Sequence, residues 1–123
     1  MLSAMTDAKT YGGSCQCGKV RFETTTDLSR VISCNCSICG KHGLLLNFVS
    51  EDKFKLLSGD AALTKHLFNK MKIEHHFCAT CGVETFGTGN GKEGKRMYAV
   101  NVRCLDDLDL STLTLTPFDG KSL

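Results

Sequence analysis

The chain contains no tryptophan, and aromatic residues make up only 7% of it. A domain of 123 residues with so few large side chains has a modest core, and metal crosslinks would help to hold it. No apolar run approaches the length of a membrane-spanning helix. The segment Met1 to Thr10 lacks the basic start and long apolar stretch of a secretory signal. It reads as a ragged tail ahead of one domain over 11–123, and the expected compartment is the cytoplasm, where thiols stay reduced. Runs of like charge are missing too. The formal net charge of +2 is too small for the basic footprint of a dedicated nucleic-acid binder. No window carries a long apolar stripe at period 3.6, so a helical bundle is excluded. Nothing in the sequence sets the oligomeric state.

What remains is a succession of short β-rich segments. Lys19 to Thr24 alternates, with Val20 and Phe22 on one face and charges on the other, as a half-buried strand does. Val31 to Cys34, Leu44 to Ser50, Phe54 to Leu57, Leu63 to Phe68, Ile73 to Phe77, Val83 to Phe86 and Met97 to Val102 also read as strands. Turn signals separate them at Ser58-Gly59-Asp60, at Asn69-Lys70 and over Gly87 to Gly94. Helix is expected only as a turn after Cys36, a turn near Glu51 to Lys53, and a short piece over Leu105 to Leu110. The predicted fold class is all-β.

Seven of the eight cysteines fall into three clusters: Cys15 and Cys17; Cys34, Cys36 and Cys39; Cys78 and Cys81. CxC and CxxC at such spacing in a cytoplasmic chain point to metal or redox chemistry more than to disulfides. A closed tetrahedral zinc site takes four protein ligands, and a catalytic one takes three and keeps a position open. The outer pairs together make one closed site, Cys15, Cys17, Cys78 and Cys81, which would staple the sheet. The three left over, Cys34, Cys36 and Cys39, make one open site. Two Zn2+ (+4) and seven thiolates (−7) bring the formal charge from +2 to −1, near neutral. Each cluster ends in Cys-Gly, at Gly18, Gly40 and Gly82, where a chain wrapping around an ion needs a left-handed residue.

The fourth position of the middle site has several claimants. Solvent is one, which leaves room for an external thiol or a polarised carbonyl. Cys104 is another, although a lone cysteine at a strand end is more often packing. His42 is a third, as ligand or proton shuttle. His75 and His76 point to opposite faces of one strand, so one of them at most faces a given site. His66 lies in a strand pattern with no evident partner.

Gly12 to Phe22 (GGSCQCGKVRF), Cys34 to Gly40 (CNCSICG), His75 to Gly82 (HHFCATCG), Val100 to Asp106 (VNVRCLD) and Phe118-Asp119-Gly120 resemble the glutathione-dependent formaldehyde-activating enzyme family, which includes the centromere protein V type. The resemblance implies a β-tent of packed antiparallel sheets with two zinc ions, one structural on Cys15, Cys17, Cys78 and Cys81 and one catalytic on Cys34, Cys36 and Cys39. It also implies a carbon–sulfur lyase that makes S-hydroxymethylglutathione from glutathione and formaldehyde. The chain is shorter than the enzyme that gives the family its name. Glutathione carries two carboxylates, and Lys92, Lys95, Arg96 and Arg103 are the basic residues available to them. Two other readings stay open: a non-catalytic zinc module that binds a protein or another macromolecule, and an iron–sulfur protein.

Overall fold

A computed structural model of the chain describes residues 8–34, 40, 41, 43–68, 73–90 and 95–118, with backbone alone at 66–68, 73 and 118. Among the described residues, ten strands follow one another: β1 (Lys9–Ser14), β2 (Arg21–Thr26), β3 (Val31–Cys34), β4 (Leu45–Ser50), β5 (Phe54–Ser58), β6 (Leu63–Phe68), β7 (Ile73–Cys78), β8 (Glu84–Asn90), β9 (Arg96–Asn101) and β10 (Leu115–Phe118). They form a three-stranded sheet, β1-β2-β5, and a seven-stranded sheet, β10-β3-β4-β9-β8-β7-β6. Every pairing is antiparallel except β10 with β3, which is parallel. The all-β class follows from the alternating sequence pattern, with this one parallel pair added to the expected antiparallel sheets.

Among the described residues, helix is confined to 3-10 turns at Glu51–Lys53, Asp60–Ala62, Val102–Cys104 and Leu110–Thr112, plus helical backbone at Gly40 and Lys41. No helix there is long and apolar enough to cross a membrane. The turn at Glu51–Lys53 is where the sequence puts it. The piece expected over Leu105 to Leu110 is not a helix. Leu105 instead bridges to Gly13, and Asp107 takes a left-handed φ of 57°, which ends any continuous turn. The turn after Cys36 falls largely outside the described residues.

The small sheet packs on one face of the large one. Phe22, Val31, Leu45, Val49, Val100 and Val102 form the main core. Phe54 of the small sheet lies across it, 5.3 Å from Phe22, 4.7 Å from Phe86 and 4.5 Å from Tyr98 between ring centroids. Such ring pairs add stabilisation beyond the area they bury. Four of the nine aromatic residues, Phe22, Phe54, Phe86 and Tyr98, thus form one stack between the sheets.

Three segments escape the sequence pattern, β10 (Leu115–Phe118) among them. Lys9 and Thr10, grouped by sequence with the tail, open β1, which pairs along its whole length with β2. Gly87, Thr88 and Gly89 read as the start of a turn, yet they continue β8 to Asn90. Gly87 pairs with His75 on one side and Ala99 on the other, so this glycine marks an interior strand position rather than a break.

Gly59 is a position where glycine is required. Its φ is +91°, and an added Cβ would collide with the Lys19 carbonyl oxygen and lie 2.6 Å from Val20 Cα. Both neighbours are backbone, so nothing can swing away. Gly59→Ala is expected to lower stability by about 3 kcal/mol, combining the left-handed penalty with the overlap. A chemical-denaturation midpoint equal to that of the wild type would refute this.

Candidate metal centre

Two turns with matching hydrogen bonds build the centre. At the end of β1 the chain reverses through Cys15-Gln16-Cys17-Gly18. The Cys15 amide donates to the Val20 carbonyl (3.0 Å), and the Gly18 amide donates to the Cys15 carbonyl (3.2 Å). At the end of β7 the Cys78 amide donates to the Val83 carbonyl (3.0 Å), and the Gly82 amide donates to the Cys78 carbonyl (2.8 Å). Gly18 and Gly82 have φ of 84° and 82°, the left-handed geometry expected of the trailing glycines. The third one departs from that expectation. Gly40 has helical backbone, and the left-handed residue after the middle cluster is Gly43, with φ of 67°.

The turns meet. The sulfurs of Cys15, Cys17, Cys78 and Cys81 all lie within 4.8 Å of one another. Cys15 and Cys17 Sγ are 3.6 Å apart, and Cys17 and Cys78 Sγ are 3.7 Å apart. A tetrahedron with metal–sulfur bonds of about 2.3 Å has edges of about 3.8 Å, so the spacing fits an ion of that size. Cys15 and Cys78 are buried, Cys81 is half-buried and Cys17 faces solvent. Backbone amides serve the sulfurs: Val20 N–H donates to Cys15 Sγ and Thr80 N–H to Cys78 Sγ, each at 3.4 Å. Lys19 Nζ reaches Thr80 Oγ1 (3.2 Å), and the Ala79 amide donates to the Ala62 carbonyl (2.7 Å), tying the second turn to the first and to the 3-10 turn Asp60–Ala62 that precedes β6.

The thiols do not share one acidity. The amides of Cys81 and Thr80 lower Cys78. Burial pushes Cys81 up, but the amides of Val83 and Cys17 outweigh it and bring that thiol down to about 6. At Cys17 the Lys19 amide favours the thiolate, yet burial and the three neighbouring sulfurs raise it to about 11. A cation among the four sulfurs would relieve this crowding of negative charge.

Of the middle cluster, Cys34 is described, at the end of β3. It is half-buried against Leu44 and Leu46 and in register with Phe118. Cys36, Cys39 and His42 lie outside the described residues, as do Lys92, Asp119 and Gly120. Cys104 is buried in the main core, and its thiol donates to the Glu84 carbonyl (3.7 Å). Burial, with the charges of Cys15, Cys81 and Glu84, pushes it up to about 12. That disfavours the thiolate a metal needs. Arg103 Nε donates to the Gly43 carbonyl (2.8 Å). Arg96 donates to Glu74 Oε1 (3.3 Å) and Thr88 Oγ1 (3.0 Å). Lys95 is exposed, in the residue before β9. His66 pairs in register with His75 through its backbone.

His75 and His76 do take opposite faces. His76 stacks on Phe86 with ring centroids 4.7 Å apart on the core side, and its Nε2 lies 3.0 Å from Thr88 Oγ1. His75 turns the other way, with Nδ1 2.7 Å from Glu84 Oε2 and both residues buried. Sequence reasoning missed Glu84. The available signal was a lone carboxylate in a strand segment three residues after the Cys78–Cys81 pair.

Two sheets locked at one end by four converging thiols define a cysteine-ligated, metal-binding β protein. The chain belongs to the glutathione-dependent formaldehyde-activating enzyme family, which it matches over residues 10–117. It is also similar to a Rhodobacter sphaeroides protein whose crystal structure was determined as a structural-genomics target. The two are 27% identical, superpose with a TM-score of 0.75, and share 86% of this chain and 97% of the other.

Proposed function

We propose that this protein is a zinc-dependent carbon–sulfur lyase of the cytoplasm that joins formaldehyde to glutathione, or splits the adduct. The observation that carries this reading is that the outer clusters complete a four-sulfur site without Cys34. Cys34, Cys36 and Cys39 then remain for a second zinc with a position left to substrate, which would supply Lewis acidity and favour a thiolate at neutral pH. Family membership supports glutathione and formaldehyde as the substrates.

Among the basic residues, Arg103 is best situated for a glutathione carboxylate. Its Nε holds the Gly43 carbonyl beside the cysteine segment, and its remaining guanidinium donors suit planar carboxylate recognition. Arg96 already serves Glu74. Arg103→Ala is expected to raise KM for glutathione about tenfold, the loss of one charge-assisted contact, while kcat changes little. An unchanged KM would remove Arg103 from the site.

The direct test combines a metal count with a rate. The purified protein should hold two zinc ions per chain and accelerate adduct formation over the uncatalysed reaction. No acceleration at any substrate concentration would sink the assignment. Four sulfurs around both zinc ions in X-ray absorption would favour a non-catalytic binding module instead.

A further inference from the structure

The four-sulfur knot is unevenly sheltered. Cys15 is 2% exposed and Cys78 0%, and both sit in an apolar cluster with Val20, against which Leu56 and Val83 pack. Cys81 is half-buried, and of the four only Cys17 stands open to solvent. Its sulfur nevertheless lies 3.6 Å from Cys15 Sγ and 3.7 Å from Cys78 Sγ. A reagent arriving from water therefore meets one sulfur first. Two other sulfurs stand within a small movement of it, given a disulfide bond length of about 2 Å.

The two neighbours differ as partners. Cys15 and Cys17 share one turn, closed by the Cys15 amide on the Val20 carbonyl and the Gly18 amide on the Cys15 carbonyl. A bridge between them would close a very small ring inside that turn and carry strain. Cys78 belongs to the other turn, 61 residues away in sequence from Cys17. A bridge from Cys17 to Cys78 joins the same two turns that a shared ion joins, so the crosslink survives in covalent form. It also removes two of the four ligands. Cys15 and Cys81 alone do not complete a tetrahedral site.

We propose that Cys17 is an oxidation site, through which a peroxide exchanges the metal crosslink for a Cys17–Cys78 disulfide. The Cys17 thiolate attacks one peroxide oxygen, the O–O bond breaks, and a sulfenic acid forms as hydroxide leaves. The Cys78 thiolate then attacks the Cys17 sulfur, the S–S bond forms, the S–O bond breaks, and a second hydroxide leaves. The two thiolates lose two electrons between them, the peroxide gains them, and both hydroxides take protons from solvent to become water. The ion, left with two ligands, departs. A dithiol reduces the bridge and regenerates the four-thiol site, so the exchange is reversible. Nothing in these steps depends on the lyase reading or on the middle cluster.

The test is a hydrogen peroxide titration of the zinc-loaded full chain, read by peptide mass spectrometry and a colorimetric zinc count. With dimedone present to trap sulfenic acid, Cys17 should carry about tenfold more label than Cys15, Cys78 or Cys81. Without the trap, the Cys17–Cys78 bridge should form as zinc is released, one ion per bridge. A dithiol with added zinc should restore the starting mass and metal content. Cys17→His keeps a metal ligand but no thiol. That variant should form no bridge to Cys78 and release one zinc fewer per chain at the same dose. Label spread evenly over the four sulfurs, or led by another of them, would overturn the proposal. So would a Cys17–Cys78 bridge that leaves the zinc count unchanged, or an oxidation that the dithiol does not undo. If Cys17→His fails to hold zinc, the trapped label and the bridge in the wild type decide.

Discussion

Cys15→Ser is expected to leave the protein largely unfolded. Cys15 is buried, its turn joins β1 to β2, and its sulfur lies 3.6 Å from that of Cys17 within the four-thiol group. A structural zinc of this kind contributes about 10 kcal/mol or more of binding free energy that appears as folding free energy. A domain of this size is stable by about 5–15 kcal/mol in all. The core, with no tryptophan and few aromatics, has little to set against the loss. Circular dichroism should show loss of the cooperative melt, and a strong chelator should produce the same change in the wild type. A chelated wild-type protein that melts as before would show that the sheets hold without the ion.

Cys34→Ser should behave in the opposite way. Cys34 ends an edge-proximal strand, is half-buried, and belongs to a small apolar group apart from the main core. Its thiol-to-hydroxyl change removes little packing. The melt should shift by a few degrees only, while zinc falls from two per chain to one and kcat drops at least about 1,000-fold, as for loss of a catalytic metal's ligand. The pair of variants separates a staple from a site of chemistry. Unfolding of Cys34→Ser would mean that the middle cluster is structural as well.

The spacing of Cys15, Cys17, Cys78 and Cys81 made their convergence legible, because a CxC and a CxxC each put two sulfurs within reach of one ion wherever the turns meet. Most strands were legible for an equally local reason, the alternation of side chains. Three features were not. β10 contains Pro117 and lies exposed along most of its length, so it carries no apolar signature, and only pairing with distant β3 makes it a strand. Gly87 and Gly89 look like turn residues, because sequence cannot show that Ala99 and His75 flank Gly87 from both sides. The register irregularity between His76 and Phe77, which brings Glu84 opposite Phe77 and near His75, arises from the pairing of two strands and from neither alone.

The parallel pairing of β10 with β3 has a consequence for the order in which the molecule matures. Residues near the far end of the chain close the outer edge of the strand that leads into Cys34. Until they emerge from the ribosome, that edge presents open amides and carbonyls to any passing strand. The four-thiol knot can tighten as soon as Cys81 is out, so the nascent chain passes through a stage that is already stapled yet still sticky along β3. Premature termination within that interval would release a protein able to grip metal and prone to clump.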